Sequence, residues 1–378
     1  MLDNIKFQFF LLVFGVILFF APLMKSQNFP SNQNSVDSVV QAEKAREIDL
    51  GEEGQIHILL SEGKIFVSFE NGTVYCLDSK WDKKWVAEIF GNVSHNSVQY
   101  KDLFLAVTDA GDLYSINANN GETIQVLGTG ETITTDLVLI DLIHSEYQTI
   151  GIVFGTADGN IFCYDIFSFE LIWKLNISKN TLTAQPILVN DSNNIVFIDS
   201  NASLFCVSSK SGILIWHYVF SDSLSSGLNG YPISTSKDII SITPKDEIIA
   251  IDASLGKKIW TTKSIPFKPN TIISVFNSEI IYWDEKNSIN FISAKSGKEI
   301  NKLSLDNVEI SENGFDSKDN IALICSSDNS VFKITRDRKI ENILSPSDDL
   351  ITTLKLISED EFIIYTSSGK LISYKMIE

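Results

Sequence analysis

The chain has 378 residues, a net charge of −18 from 30 Lys+Arg and 48 Asp+Glu, and 44% hydrophobic residues. That hydrophobic fraction excludes general disorder, and the acidity argues against nucleic-acid binding, because phosphates call for a basic face. Four Cys in this length exclude a disulfide-framework mini-protein, and one apolar run near the N-terminus excludes a multi-span helical membrane protein.

That run lies between Lys6 and Lys25, has Gln8 as its one strongly polar residue, and is ended by Pro22. Its length and lack of a polar face fit the core of an export signal, or a retained anchor, better than a buried helix. Residues 1–26 are therefore assigned to a signal peptide or N-terminal membrane anchor. Residues 27–43, rich in Ser, Asn and Gln, read as a flexible polar linker. Export would place the chain in the periplasm or cell envelope, touching a membrane only through an uncleaved N-terminal segment.

From residue 44 to 378 an internal repeat organises the sequence. Each copy reads as a strand, a two-residue turn, a strand ending in Asp or a small polar residue, a short Gly loop and a Trp-bearing strand. The clearest copy is residues 250–260, with Asp252, Gly256 and Trp260; others carry Ser208, Gly212 and Trp216, then Asp165, Phe169 and Trp173, then Asp78 and Trp85. The turns align at Gly72, Gly111, Gly159, Ala202, Asp246, Asn287, Asn329 and Gly369. Their spacing of about 42 residues is that of a four-stranded propeller blade. Asn71-Gly72 and Asp158-Gly159 are strong hairpin dipeptides.

The eighth copy ends with room for three strands, whereas residues 45–50 form one strand too many at the start. The sequence thus predicts an all-β, eight-bladed β-propeller of four-stranded antiparallel blades, closed by an N-terminal strand that completes the last blade.

Trp85, Trp173, Trp216 and Trp260 recur at one repeat position, which favours blade-to-blade docking over cofactor stacking. Gln125 and Asn301 replace Trp in blades 2 and 6, and blade 7 also lacks it, so those blades should be less firmly docked. Asp78, Asp165 and Asp252 read as turn caps. Cys76, Cys163 and Cys206 share a position in different blades. Sheets packed about 10 Å apart exceed the roughly 7 Å Cα reach of a disulfide, so free buried thiols are predicted. The four His (57, 95, 144 and 217) have no metal-ligand spacing, and nucleophile-elbow, P-loop and dinucleotide fingerprints are missing. No catalytic, cofactor-binding or metal residues are assigned, and the chain is read as a non-enzyme.

The A-x-D-x-x-x-G-K-x-x-W pattern of residues 250–260, with weaker copies across 45–378, resembles the tryptophan-docking repeat of the pyrroloquinoline-quinone (PQQ)-like β-propellers. It is most similar to their non-catalytic outer-membrane barrel-assembly (BamB-like) members. The resemblance implies the fold without the cofactor, because the vicinal Cys pair of the quinoprotein dehydrogenases is missing. It further implies a monomeric protein–protein interaction scaffold in the cell envelope, with barrel-assembly machinery as partner. A PQQ-dependent oxidoreductase and a small-ligand or carbohydrate-binding sensor are the alternatives. For the sensor, the inner strands should line the central channel, yet no convergent polar set stands out in them. Two long connections, 141–149 and 221–230, supply candidate partner contacts: His144, Tyr147, Leu224 and Leu228.

Overall fold

The computed structural model describes residues 42–377, except 94, 144–147, 190, 192, 221–231, 236, 244, 264, 266, 268–272, 306–307 and 319. The leader, nearly all of the linker, and all four candidate contacts (His144, Tyr147, Leu224 and Leu228) lie outside the described residues.

Eight four-stranded antiparallel sheets form the ring of an eight-bladed β-propeller, with no helix among the described residues. Blade 1 comprises Ile56–Ser61, Lys64–Phe69, Thr73–Leu77 and Lys83–Glu88, lettered A to D from the axis outward. Blades 2 to 7 repeat that order. Blade 8 takes strands A to C from Ile351–Leu356, Glu361–Thr366 and Lys370–Met376, and strand D from Ala42–Asp49. The register runs from Ala42 opposite Met376 to Asp49 opposite Lys370, and Leu50 N continues it by donating to Gly369 O at 2.9 Å. The closing strand begins at Ala42, inside the stretch read as linker, because the ladder continues to the end of strand C.

The core lies in layers between blades and not at the centre. Eight apolar clusters each join two neighbouring blades, one per junction. Strands B and C are therefore covered on both faces and read as apolar runs: Phe104–Val107 and Ile195–Ile198 are wholly buried. Outer strands alternate, as in Lys83–Glu88, where Trp85 and Ala87 point inward and the residues between them are exposed.

All eight aligned turn residues have positive φ, from +56° at Asn287 to +96° at Gly72. The turns are three residues long, not two. Gly111 N donates to Thr108 O, and Thr108 N closes the hairpin on Asp112 O, giving a tight turn followed by one left-handed residue. A Cβ on Gly72 would fall 2.1 Å from Ile89 O, so glycine is required there by space as well as by φ. The segment 141–149 is not one long loop. Residues 141–143 and 148–149 extend strands A and B of blade 3, Val138–Ile143 and Gln148–Gly155, which leaves 144–147 as the connection.

Candidate functional site

The recurrent tryptophans sit where one blade meets the next. Trp85 Nε1 donates to Ala118 O, Trp173 to Ser209 O, Trp216 to Ala253 O and Trp260 to Ala294 O, each at 3.0–3.1 Å and each in the following blade. Every ring also covers a glycine of that blade's C–D loop. A Cβ on Gly121, Gly212, Gly256 or Gly297 would lie 2.8, 2.6, 2.5 or 2.5 Å from the ring. Where a C–D loop opens on Asp, that side chain holds it. Asp252 Oδ1 accepts from Ser254 N and Leu255 N, and Asp165 Oδ1 from Phe167 N and Ser168 N. Burial pushes the Asp165 carboxyl up, but the Thr149 hydroxyl and these amides outweigh it and hold the group below its ordinary value.

Where the tryptophan is missing, the clasp runs backwards. In blade 3 the glycine position holds Phe169, at φ +56°, buried in the layer shared with blade 2, while Gln125 Nε2 donates to Ser168 O. In blade 7 Arg338, at φ +63°, reaches back over the Phe291 ring of blade 6 and pairs with Glu279. In blade 1 Trp81, at φ +72°, is buried with Tyr365 and Leu371 of blade 8. These three junctions have a fastening that does not use the tryptophan. The left-handed backbone cost, about 1–2 kcal/mol for a residue with a Cβ, is carried where the side chain has a neighbouring blade to grip.

Two surfaces are available for recognition. The first is the central channel, a cavity of about 840 Å³ whose lining includes His57, Asn96, Ser97, Leu137, Gln185 and Lys355. Polar side chains do line it. Asn96 and Ser97 precede strand A of blade 2 and Gln185 sits on a bulge of blade 4, outside the repeat positions that the sequence aligns. The second is the outer rim at blades 3 to 5. Residues 213–220 of blade 4, Ile-Leu-Ile-Trp-His-Tyr-Val-Phe, contain no Asp, Glu, Lys or Arg and include strand D, Leu214–Tyr218. Ile213 is 65% and Val219 53% exposed, and Leu171, Leu255 and Ile259 of the adjoining blades are exposed too. The outer strands of blades 1, 3, 5, 6, 7 and 8 all carry charged residues, the usual protection of a free sheet edge; that of blade 2, Thr123–Gly128, is uncharged as well but is broken up by Thr123, Gln125 and Gly128.

The profile of the outer membrane protein assembly factor BamB family matches residues 40–262. The chain belongs to this family. The matched span contains all four clasp tryptophans and the uncharged edge of blade 4. Among solved structures, BamB from Moraxella catarrhalis is 14% identical, with a TM-score of 0.66 over 88% of this chain and 99% of that one. The computationally designed Ika8 protein is 13% identical, with a TM-score of 0.66 over 86% and 98%. Sqt1 of Saccharomyces cerevisiae is 9% identical, with a TM-score of 0.71 over 89% and 99%. At such identities the likeness is one of fold. No curated protein matches the chain.

Cys76, Cys163, Cys206 and Cys325 are all free and buried. Burial pushes Cys76 up to about 11 and Cys206 and Cys325 up to about 12, so none is a nucleophile at neutral pH. Among the described residues no group of three or more His, Cys, Asp or Glu could hold a metal ion.

Proposed function

We propose that the chain is an exported, non-enzymatic propeller that serves as a protein–protein interaction scaffold in the cell envelope and takes part in outer-membrane protein assembly. Family membership supports the assembly role, and the apolar leader supports export to the periplasmic side. Residues 1–26 tether the ring to the membrane wherever they are retained, and the ring acts as a monomer.

One structural observation carries the scaffold reading: the uncharged, apolar outer edge at 213–220. A free edge of unpaired N–H and C=O groups templates an incoming strand, and alternate side chains of that strand find pockets on either side. A partner that presents an extended β-segment fits this edge, with Leu171 of blade 3 on one side and Leu255 and Ile259 of blade 5 on the other.

The test places a photo-crosslinking residue at Ile215 of the full chain in native envelopes and identifies adducts by mass spectrometry. Barrel proteins or their insertion machinery are the expected adducts. Ile215→Lys, exposed and without a core role, should abolish them at unchanged melting temperature. An unaltered adduct pattern in that variant would refute the blade 4 edge as the docking site.

A further inference from the structure

The geometry points to a second, independent binding site: the central channel holds a short uncharged oligosaccharide, gripped by Ser97, Asn96, His57 and Gln185.

Four observations converge. Ser97 is 5% exposed, lines the cavity, and its hydroxyl oxygen has no hydrogen-bond partner. A buried hydroxyl that donates and accepts nothing is costly, and native structures rarely keep one without a use. Next to it, Asn96 is fixed in place: its N and Nδ2 both donate to Asp136, at 2.9 and 2.7 Å. Two blades along the ring, strand A of blade 4, Leu182–Val189, is broken by a bulge between Thr183 and Ile187, with Ala184 at φ +69°. The bulge turns Gln185 out of the sheet, where it is exposed and lines the cavity. A non-glycine residue held left-handed inside a strand persists only where its surroundings over-determine it, and bulges of this kind re-aim side chains next to sites.

The chemistry of the wall selects the ligand. Most charges around the cavity are engaged within the protein: Arg46 donates to Ser79 O, Lys64 to Asn119 Oδ1, and Glu62 accepts from Gln99 Nε2, while Glu361 also lines the wall. Asp136 is taken by Asn96, with His95 Nδ1 3.9 Å away. Asp316 accepts from Leu356 N and lies 3.8 Å from Lys355, and Lys318 donates to Ile357 O. Burial pushes His57 below its ordinary value despite Asp136 nearby, so its ring is neutral near pH 7. Both signs line the wall, so an anionic ligand would meet Glu62, Asp316 and Glu361 and a cationic one Arg46, Lys64, Lys318 and Lys355. What remains is the Glu361 carboxylate, an acceptor, and a set of neutral donors and acceptors interleaved with Leu59, Val98 and Leu137. That pattern suits a molecule whose hydroxyls alternate with C–H faces, and about 840 Å³ is ample for one.

The experiment is calorimetric titration of the full chain, kept in solution by a detergent without a sugar headgroup. The probes are maltotriose, cellotriose and triacetylchitotriose, with N-acetyl-trialanine amide as an uncharged peptide. Saturable one-to-one binding of at least one sugar is expected. Ser97→Ala and Gln185→Ala should each weaken it about ten-fold or more. Neither variant should melt below the parent, since Ser97 gives up no hydrogen bond. Ile215→Lys should bind sugar unchanged, so that failure of the docking edge and failure of the channel read out separately. The assignment is overturned if no sugar gives heat up to about 10 mM, if both alanine variants keep the parent affinity, or if the peptide binds and the sugars do not.

Discussion

Replacing Gly256 with alanine probes the clasp between blades 4 and 5 at its tightest point. Two separate costs arise. The backbone there has φ +64°, and a Cβ in that conformation costs about 1–2 kcal/mol. The new methyl would also lie 2.5 Å from Trp216 Cδ2 and 2.7 Å from Cγ, well inside contact distance. The ring cannot slide freely, because Nε1 is held by Ala253 O at 3.0 Å. Overpacking of this kind adds about 1–3 kcal/mol, for a total of about 2–5 kcal/mol. Gly63 is the control: φ is +74° and nothing lies within 4 Å of its Cβ position, so Gly63→Ala should cost the backbone portion alone, about 1–2 kcal/mol. Urea denaturation followed by tryptophan fluorescence gives both values. A cycle with Trp216→Leu isolates the steric part, which should shrink by at least about 1 kcal/mol once the ring is gone. Equal costs for the two glycines, or strict additivity with Trp216→Leu, would refute the idea that the loop glycine exists to admit the ring.

Three further outcomes follow from the same geometry. Deleting residues 42–50 uncovers the outer edge of blade 8 and removes buried Leu50; the melting temperature should fall by about 10 °C or more, and a truncation melting like the parent would contradict the closure. His57 is depressed in the folded state by burial, so its share of stability is full above about pH 6.5 and is lost as the pH falls from there toward the folded value; His57→Gln should flatten that part of the stability profile, and identical profiles for the two chains would count against it. Alkylation at about pH 8 should leave all four thiols unmodified in the native protein and modify four in denaturant; an oxidised pair in fresh protein would contradict the burial argument.

Much of the architecture was legible because it repeats. Eight turn residues aligned on spacing alone all occupy the left-handed region, even where the residue is Ala202 or Asn329, since the turn geometry is needed once per blade whatever side chain is present. The surplus strand at 45–50 was legible by the same arithmetic. The reversed clasps were not. A missing tryptophan is visible in one blade, but its replacement, such as Phe169 or Arg338, lies in the next one and looks like a mere loss of glycine. The channel was illegible for a different reason. Asn96 and Ser97 precede their strand, and Gln185 depends on a bulge at Ala184; periodicity assigns faces only to residues in register.

The seam between Ala42–Asp49 and Lys370–Met376 sets the order of events during synthesis. Its first half leaves the ribosome before blade 1, and its second half only after blade 7. Until then Ile363, Tyr365 and Leu371 cannot be sandwiched against blade 1, and the nascent ring waits as an incomplete arc with sticky flanks. Any factor that shields those flanks during translation or transport would govern yield more than the intrinsic folding speed of a single blade.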